Sequence, residues 1–361
     1  MSTGEKIRVL VIDDSAFSRQ AITRILGASP LVEVVGTARD GEEALRKAIE
    51  LAPDLITLDL EMPRMDGFTL LRILMSRRPT PVIVISGRGV AGDVFRALEL
   101  GAVDFIAKPT PHSTPLLSSI EGELLRKVHA ARELRIDALR SRLARSGGAR
   151  AVLAPAAGAR PPRVVALGAS TGGPAALMEI FGAFKQAPPI AFLVAQHLPE
   201  GFTRDFAARV DRLTALSARE AAGGEEPLPG GVLVAPGGSH LEVEAVAGRV
   251  RTRIVPSVAA DRFVPSVDRL FESAAKAYGP ELLGVVLTGM GDDGSRGVMA
   301  VKGGGGSVIA ESERTAVIHG MPGQAIRTGA VDWVLPLPEI AGAIRSGIRG
   351  APPVEAGRGA R

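Results

Sequence analysis

Cysteine is absent from the 361 residues. Disulfides, zinc–thiolate sites and a cysteine nucleophile are therefore excluded. Aromatic residues make up only 4%, which is poor material for the stacking platforms that hold single-stranded nucleic acid. Histidine occurs five times, at 112, 129, 197, 240 and 319, and no two have the spacing of a metal-ligand pair. No apolar run approaches the ~18 residues that cross a bilayer, so membrane insertion is not expected. The opening stretch MSTGEKIRVLVIDDS has charges where a signal peptide carries its apolar core. The expectation is a cytoplasmic protein.

A net charge of +4 could suggest a nucleic-acid partner, but the positive charge is local. Between Arg126 and Arg163 there are ten Lys/Arg against only Glu133 and Asp137, which leaves the rest of the chain net acidic. No nucleic-acid binding is expected. Hydrophobic residues amount to 46%, ample for packed cores, and the length suits two domains at roughly 100–200 residues each.

The first ~110 residues alternate short apolar runs with helical spacing. The runs are IRVLVI (7–12), VEVVG (32–36), LITL (55–58), PVIVI (81–85) and DFIA (104–107). Such alternation predicts a five-stranded parallel sheet with helices on both faces. Residues 120–140 read as one helix carrying Leu124, Leu125, Val128, Leu134 and Leu139. The following RSGGARAVLAPAAGARPPR has the composition of a flexible linker. From Val164 the alternation resumes with VVAL (164–167), IAFLVA (190–195), GVLVA (231–235), LLGVVL (282–287) and SVIA (307–310). LEVEAVAGRVRTRI (241–254) reads as a β-hairpin turning at AGR. The segments are a first domain over 5–125, a helical then flexible basic linker over 126–162, a second domain over 163–348, and a tail over 349–361 expected to be disordered.

Open parallel sheets carry their functional groups past the carboxyl ends of the strands. In the first domain those positions hold Asp13 and Asp14, Asp59, Ser86 and Lys108. Carboxylates gathered at one rim repel unless a cation sits among them, and an all-oxygen set favours Mg²⁺. A lysine and a hydroxyl at the same rim complete a site for a phosphoryl group. The bland alternative, that acids at loop starts cap helices, accounts for Asp14 or Asp66 singly but not for five positions together.

In the second domain LGASTGGP (167–174) joins a strand to a helix through glycines. It is either a phosphate cradle or a nucleophile elbow presenting Ser170. It lacks the Gly-Lys-Ser/Thr ending of a P-loop. A serine nucleophile needs a base, and the base an orienting acid. His197 and His240 both follow strands, as do Asp292 and Asp293. Residue pattern alone leaves each of those pairs open.

Two resemblances narrow the choice. VIDDS, LDLEMPRMDG, VISG and AKP resemble the receiver domain of two-component response regulators, which is flavodoxin-like. The likeness implies Asp59 as phosphoacceptor, and Mg²⁺ held by Asp14 and Asp59 with Asp13 beside them and the Glu61 carbonyl as a further ligand. It also implies Ser86 and Lys108 on the phosphoryl oxygens and Phe105 as the aromatic switch. GASTGGP, AQHLP, APGGSHL, TGMGDDG and HGMPG resemble the catalytic domain of chemotaxis protein-glutamate methylesterases, a doubly wound, mostly parallel α/β domain with a hairpin. That likeness implies Ser170 as nucleophile, His197 as base, Asp293 as orienting acid and the Met290 N–H in the oxyanion hole, with no cofactor in this domain. The chain order Ser, His, Asp differs from that of the α/β-hydrolases.

Together the likenesses imply a hydrolase for γ-glutamyl methyl esters on the cytoplasmic helices of chemoreceptors. It would also deamidate receptor glutamines, and a chemotaxis histidine kinase would switch it on. The competing expectation is a response regulator whose second domain binds a partner without turnover.

Overall fold

The computed structural model describes residues 6–87, 91–108, 120–145 and 162–347, which fall into two compact units, Met1–Gly148 and Ala149–Arg361. The remainder of the basic linker and the tail lie outside the described residues. No helix among the described residues is long and apolar enough to cross a membrane.

In the first unit, strands β1 (Ile7–Ile12), β2 (Val32–Ala38), β3 (Leu55–Leu58), β4 (Val82–Gly87) and β5 (Asp104–Lys108) form one sheet in the order β2-β1-β3-β4-β5. Every pairing is parallel. The central strands are buried almost continuously, because helices cover both faces. These helices are α1 (Ala16–Gly27), α2 (Gly41–Leu51), α3 (Gly67–Arg77), α4 (Ala91–Glu99) and α5 (Glu121–His129). Capping sets several of their starts: Ser15 accepts from the Ser18 N–H, Asp40 from Glu43 and Asp66 from Thr69. Asp66 is thus a helix cap, whereas Asp14 is not.

The single helix expected over 120–140 is broken. The chain forms α5, a 3₁₀ turn over Ala130–Glu133, an extended Leu134 (φ −66°, ψ 128°), and then α6 (Ile136–Arg145). The apolar spacing explains the break. Leu124 and Val128 lie one turn apart, but the six-residue step from Val128 to Leu134 slips off that face. Leu139 is buried in a separate helix rather than along the same stripe.

The second unit has seven parallel strands in the order β14-β13-β12-β6-β7-β9-β8. They are β6 (Val164–Ala169), β7 (Ala191–Gln196), β8 (Ser217–Glu220), β9 (Gly231–Val234), β12 (Leu282–Val286), β13 (Ser307–Glu311) and β14 (Trp333–Leu335). The hairpin β10 (Ser239–Val246) and β11 (Arg249–Pro256) stands apart as its own antiparallel pair. Its turn residues Ala247 and Gly248 both have positive φ, the requirement of a tight primed turn. Helices α7 (Gly173–Gly182), α8 (Phe202–Leu213), α9 (Val267–Tyr278), α10 (Ser295–Gly303), α11 (Gly320–Arg327) and α12 (Leu337–Ser346) connect or flank the strands. The two strands absent from the sequence reading, β8 and β14, are the short sheet edges. The alternately exposed SARE of β8 presents no apolar run, as edge strands often do not.

The chain leaves β6 for β7 on one side, while β12 returns on the other. A sheet of this kind opens a crevice at that reversal, outside the carboxyl ends of the strands. Phe181, Phe192, Phe206 and Phe271 are fully buried in this unit, each contributing about 1.5–3 kcal/mol by area.

Candidate active site

Ser170 follows β6 directly and is half-buried. The glycines around it answer to close packing. A Cβ at Gly168 would collide with Val267 at the start of α9, and one at Gly173 with the Gln196 amide. Gly172 has φ +77°, a conformation side chains resist. α7 starts there without a side-chain cap.

His197 follows β7, and its backbone N–H donates to the Ala169 carbonyl at 3.0 Å. Its Nε2 lies 2.8 Å from Asp293 Oδ2. Asp293, in the loop after β12, is buried and accepts four hydrogen bonds. Oδ2 takes those of His197 and the Val267 N–H (2.7 Å); Oδ1 takes the Ser266 hydroxyl (3.0 Å) and the Asp268 N–H (2.9 Å). Burial pushes its carboxyl up, but the His197 contact and the two backbone N–H groups outweigh it and hold the pKa below the ordinary value. An ionised Asp293 can only accept, so Nε2 carries the proton and Nδ1 keeps the lone pair. The Ser170 hydroxyl makes no hydrogen bond to the His197 ring; in enzymes without substrate such contacts are often long.

Asp293 also sits on the first N–H groups of α9, where the helix dipole favours an anion. The arrangement is reciprocal. Asp268, in the first turn of α9, accepts from the Gly294 and Gly297 N–H groups at the start of α10, at 2.9 and 2.8 Å, and pairs with Arg296. Asp293 therefore sits at the start of the helix that carries Asp268, and Asp268 at the start of the helix that follows Asp293, fixing the GDDG loop.

The rival histidine is differently placed. His240 is fully buried. Its Nδ1 accepts from the Ser266 N–H (3.1 Å) and its Nε2 lies 2.9 Å from Asp261 Oδ2. Both ring nitrogens are engaged, so it has no lone pair to offer. Asp292 is likewise turned away, toward Arg262 at 3.4 Å.

The loop carrying Met290 is stitched to the elbow. The Ser170 N–H donates to the Thr288 carbonyl (3.0 Å). The Thr288 hydroxyl donates to the Thr171 carbonyl, and its N–H donates to buried Glu311. A Cβ at Gly289 would sit 2.7 Å from Ser170 Cβ. The Met290 N–H makes no hydrogen bond among the described residues. Gln196 was not singled out in the sequence, yet its Nε2 bridges the Ser170 and His197 carbonyls at 2.9 and 3.3 Å. Its position at the end of an apolar strand was the only signal available. Glu311 and Thr288 were missed for the same reason: single polar residues at strand ends carry no motif.

In the first unit, Asp13, Asp14 and Asp59 offer oxygens within 4.8 Å of one another. An all-oxygen carboxylate set of this kind suits Mg²⁺ in its chemistry. Lys108 Nζ lies 2.5 Å from Asp59 and 2.9 Å from Asp13. Burial pushes Lys108 down, but the two carboxylates outweigh it and its pKa is raised. Burial, with Asp59 adding to it, holds Asp13 above its ordinary value despite Lys108. The Ser86 hydroxyl is buried without a hydrogen-bond partner among the described residues, an orphan that a phosphoryl oxygen would satisfy. Phe105 is buried (1% exposed), with the Lys127 ammonium 5.4 Å from its ring centroid.

Residues 165–344 match the CheB methylesterase family and residues 9–120 the response regulator receiver domain family. A "Protein-glutamate methylesterase/protein-glutamine glutaminase 3" of Geobacter sulfurreducens is 52% identical over 351 residues, covering 92% of this chain and 95% of the relative. A counterpart numbered 1, from Myxococcus xanthus, is 48% identical and covers 95% of this chain and 98% of its own. The crystal structure of the Thermotoga maritima CheB methylesterase catalytic domain is 39% identical, with a TM-score of 0.50, over 52% of this chain and all of its own. With a receiver domain of the kind that uses Mg²⁺ for phosphorylation ahead of a methylesterase domain, and relatives matched nearly end to end, this chain belongs to the family of response-regulator protein-glutamate methylesterases/protein-glutamine glutaminases.

Proposed function

We propose that the enzyme removes methyl esters from glutamate γ-carboxyls of chemoreceptors by a Ser170–His197–Asp293 acyl-enzyme mechanism. Phosphorylation of Asp59 activates it. The observation that carries this reading is the His197–Asp293 contact at the sheet's reversal point, beside the strand end that bears Ser170.

His197 Nδ1 takes the Ser170 proton as Oγ attacks the ester carbonyl. Asp293 holds the imidazole in the tautomer that leaves Nδ1 basic, and offsets the charge of the imidazolium. The Met290 N–H stabilises the oxyanion, a type of interaction worth about 10²–10³ in rate. Collapse expels methanol, which takes its proton from His197. Water activated by the same base then releases the γ-carboxylate. With glutamine as substrate the leaving group is ammonia, and the acyl chemistry is unchanged.

In the receiver, Asp59 attacks the phosphoryl donor in line, Lys108 and Ser86 bind the transferred oxygens, and Asp13, Asp14 and Asp59 hold Mg²⁺. When bound, the ion neutralises phosphoryl charge. The substrates are cytoplasmic receptor helices, the phosphodonor is a chemotaxis histidine kinase, and the location is the cytoplasm.

Methanol release from methylated receptor, with and without a phosphodonor, tests the whole reading. Ser170→Ala abolishes release while leaving receptor binding intact. Undiminished release in that variant would refute the nucleophile assignment. Binding by the unaltered chain with no methanol at all would favour a module that binds without turnover.

A further inference from the structure

Among the described residues the His197 imidazole is held by one hydrogen bond, through Nε2 to Asp293. A ring held by one edge can still swing about that bond, and Nδ1 would swing with it. The structure supplies a second restraint from a distant segment. Phe263, in the loop after the hairpin, lies flat against the imidazole: the ring centroids are 5.2 Å apart and the planes 9° from parallel.

Phe263 and its neighbour Arg262 also meet the loop that bears Asp293. A Cβ at Gly291, whose φ is +90°, would meet Phe263 Cζ at 3.0 Å. Arg262 lies over the Phe263 ring at 5.1 Å and pairs with Asp292 at 3.4 Å. That ion pair is exposed and worth little in stability, but it ties the segment to the loop next to the catalytic acid. This gives Asp292 a place: it anchors Arg262 rather than addressing His197.

We propose that Phe263, strapped down by Arg262 and Asp292, is a positioning residue that fixes the plane of the His197 imidazole and hence the direction of its basic Nδ1. This rests on His197 acting as the base. Orientation matters because a misplacement of about 1 Å can cost on the order of 10²-fold in rate. A flat aromatic face restrains a ring plane in a way that an aliphatic side chain of similar bulk does not.

The test uses the full chain, methylated receptor membranes and a phosphodonor, with kcat and KM measured separately. Phe263→Ala and Phe263→Leu are expected to lower kcat by roughly 10- to 100-fold with KM little changed. Phe263→Tyr is expected to recover most of the loss. Phe263→Leu keeps most of the buried bulk, so it decides the matter if the alanine variant folds poorly. Wild-type kcat in Phe263→Leu, or a rise in KM alone, would overturn the proposal, the latter marking Phe263 as a substrate contact. His197→Gln, assayed alongside, separates the two readings. Retained activity there removes the base assignment itself, whereas lost activity there with an unchanged Phe263→Leu removes only the positioning role.

Discussion

Asp293→Asn is the most demanding test of the site, because one substitution should damage chemistry and fold by separately calculable amounts. Each carboxylate oxygen accepts two donors: His197 and Val267 N–H on one, Ser266 and Asp268 N–H on the other. An amide presents one oxygen and one NH₂ group. Whichever way it is turned, its NH₂ faces two of these groups: the His197 ring or the Ser266 hydroxyl can turn to accept from it, but one backbone N–H, of Val267 or of Asp268, is left stranded. A stranded buried donor costs about 1–3 kcal/mol. For a unit of this size 1 kcal/mol corresponds to about 2–4 °C, so a mid-range loss of ~2 kcal/mol lowers its melting temperature by about 4–8 °C. Turnover should fall by a larger factor, on the order of 10⁴ in kcat, as when the acid of such a triad becomes an amide and the histidine adopts the wrong tautomer.

The stability deficit should also depend on pH. The folded-state pKa of Asp293 is depressed. Its contribution is therefore complete above the unfolded value of about 3.9 and is lost as pH falls through the lower folded value. Calorimetry should show a constant gap between wild type and variant above about pH 5, narrowing below about 4. Methanol release gives the kinetic arm. Turnover above ~1% of wild type would refute the orienting role. An unchanged melting temperature would refute the capping arithmetic.

Four further outcomes are expected. Gly289→Ala places a methyl 2.7 Å from Ser170 Cβ; kcat should drop by about 10²-fold with smaller change in KM, and full activity would show that the elbow yields freely. Gln196→Glu sets a carboxylate against the Ser170 and His197 carbonyls; it should cost activity and about 1–3 kcal/mol in urea unfolding, whereas neutrality would mean that the bridge is dispensable. His240→Ala strands the Ser266 N–H and Asp261 and should act mainly through stability, with residual turnover far above that of His197→Gln; the reverse ranking would exchange the two histidines. Asp59→Asn should remove stimulation by a phosphodonor, and stimulation that persists would place the phosphoacceptor elsewhere.

Periodicity reached much of this protein because parallel sheets buried on both faces need unbroken apolar runs. Those runs mark the five receiver strands and five of the seven in the second sheet. The rule that function gathers past strand ends then isolated Asp13, Asp14, Asp59, Ser86 and Lys108, and in the second domain Ser170 with two candidate histidines, His197 and His240, and two candidate acids, Asp292 and Asp293. It did not reach β8 and β14, since edge strands are short and half-solvated. Nor did it reach the break after His129, where several leucines looked like one stripe until their phase was followed.

Sequence by itself determined which chemistry was available: a chain without cysteine, with few histidines, and with carboxylates, serine and lysine placed after apolar strands. Family resemblance chose between near-equivalent groups, and only the tertiary structure shows how they differ physically. His240 and His197 differ little in local sequence. One has both ring nitrogens bonded in a buried niche; the other has a single nitrogen tied to Asp293. Asp292 and Asp293 are neighbours, yet successive side chains in a tight loop point apart, one to Arg262 and the other to the start of α9. Which groups meet depends on strand order and helix packing, on Val267 seated over Gly168 and Asp268 capping α10. Those are contacts between segments far apart in the chain, which no local pattern encodes.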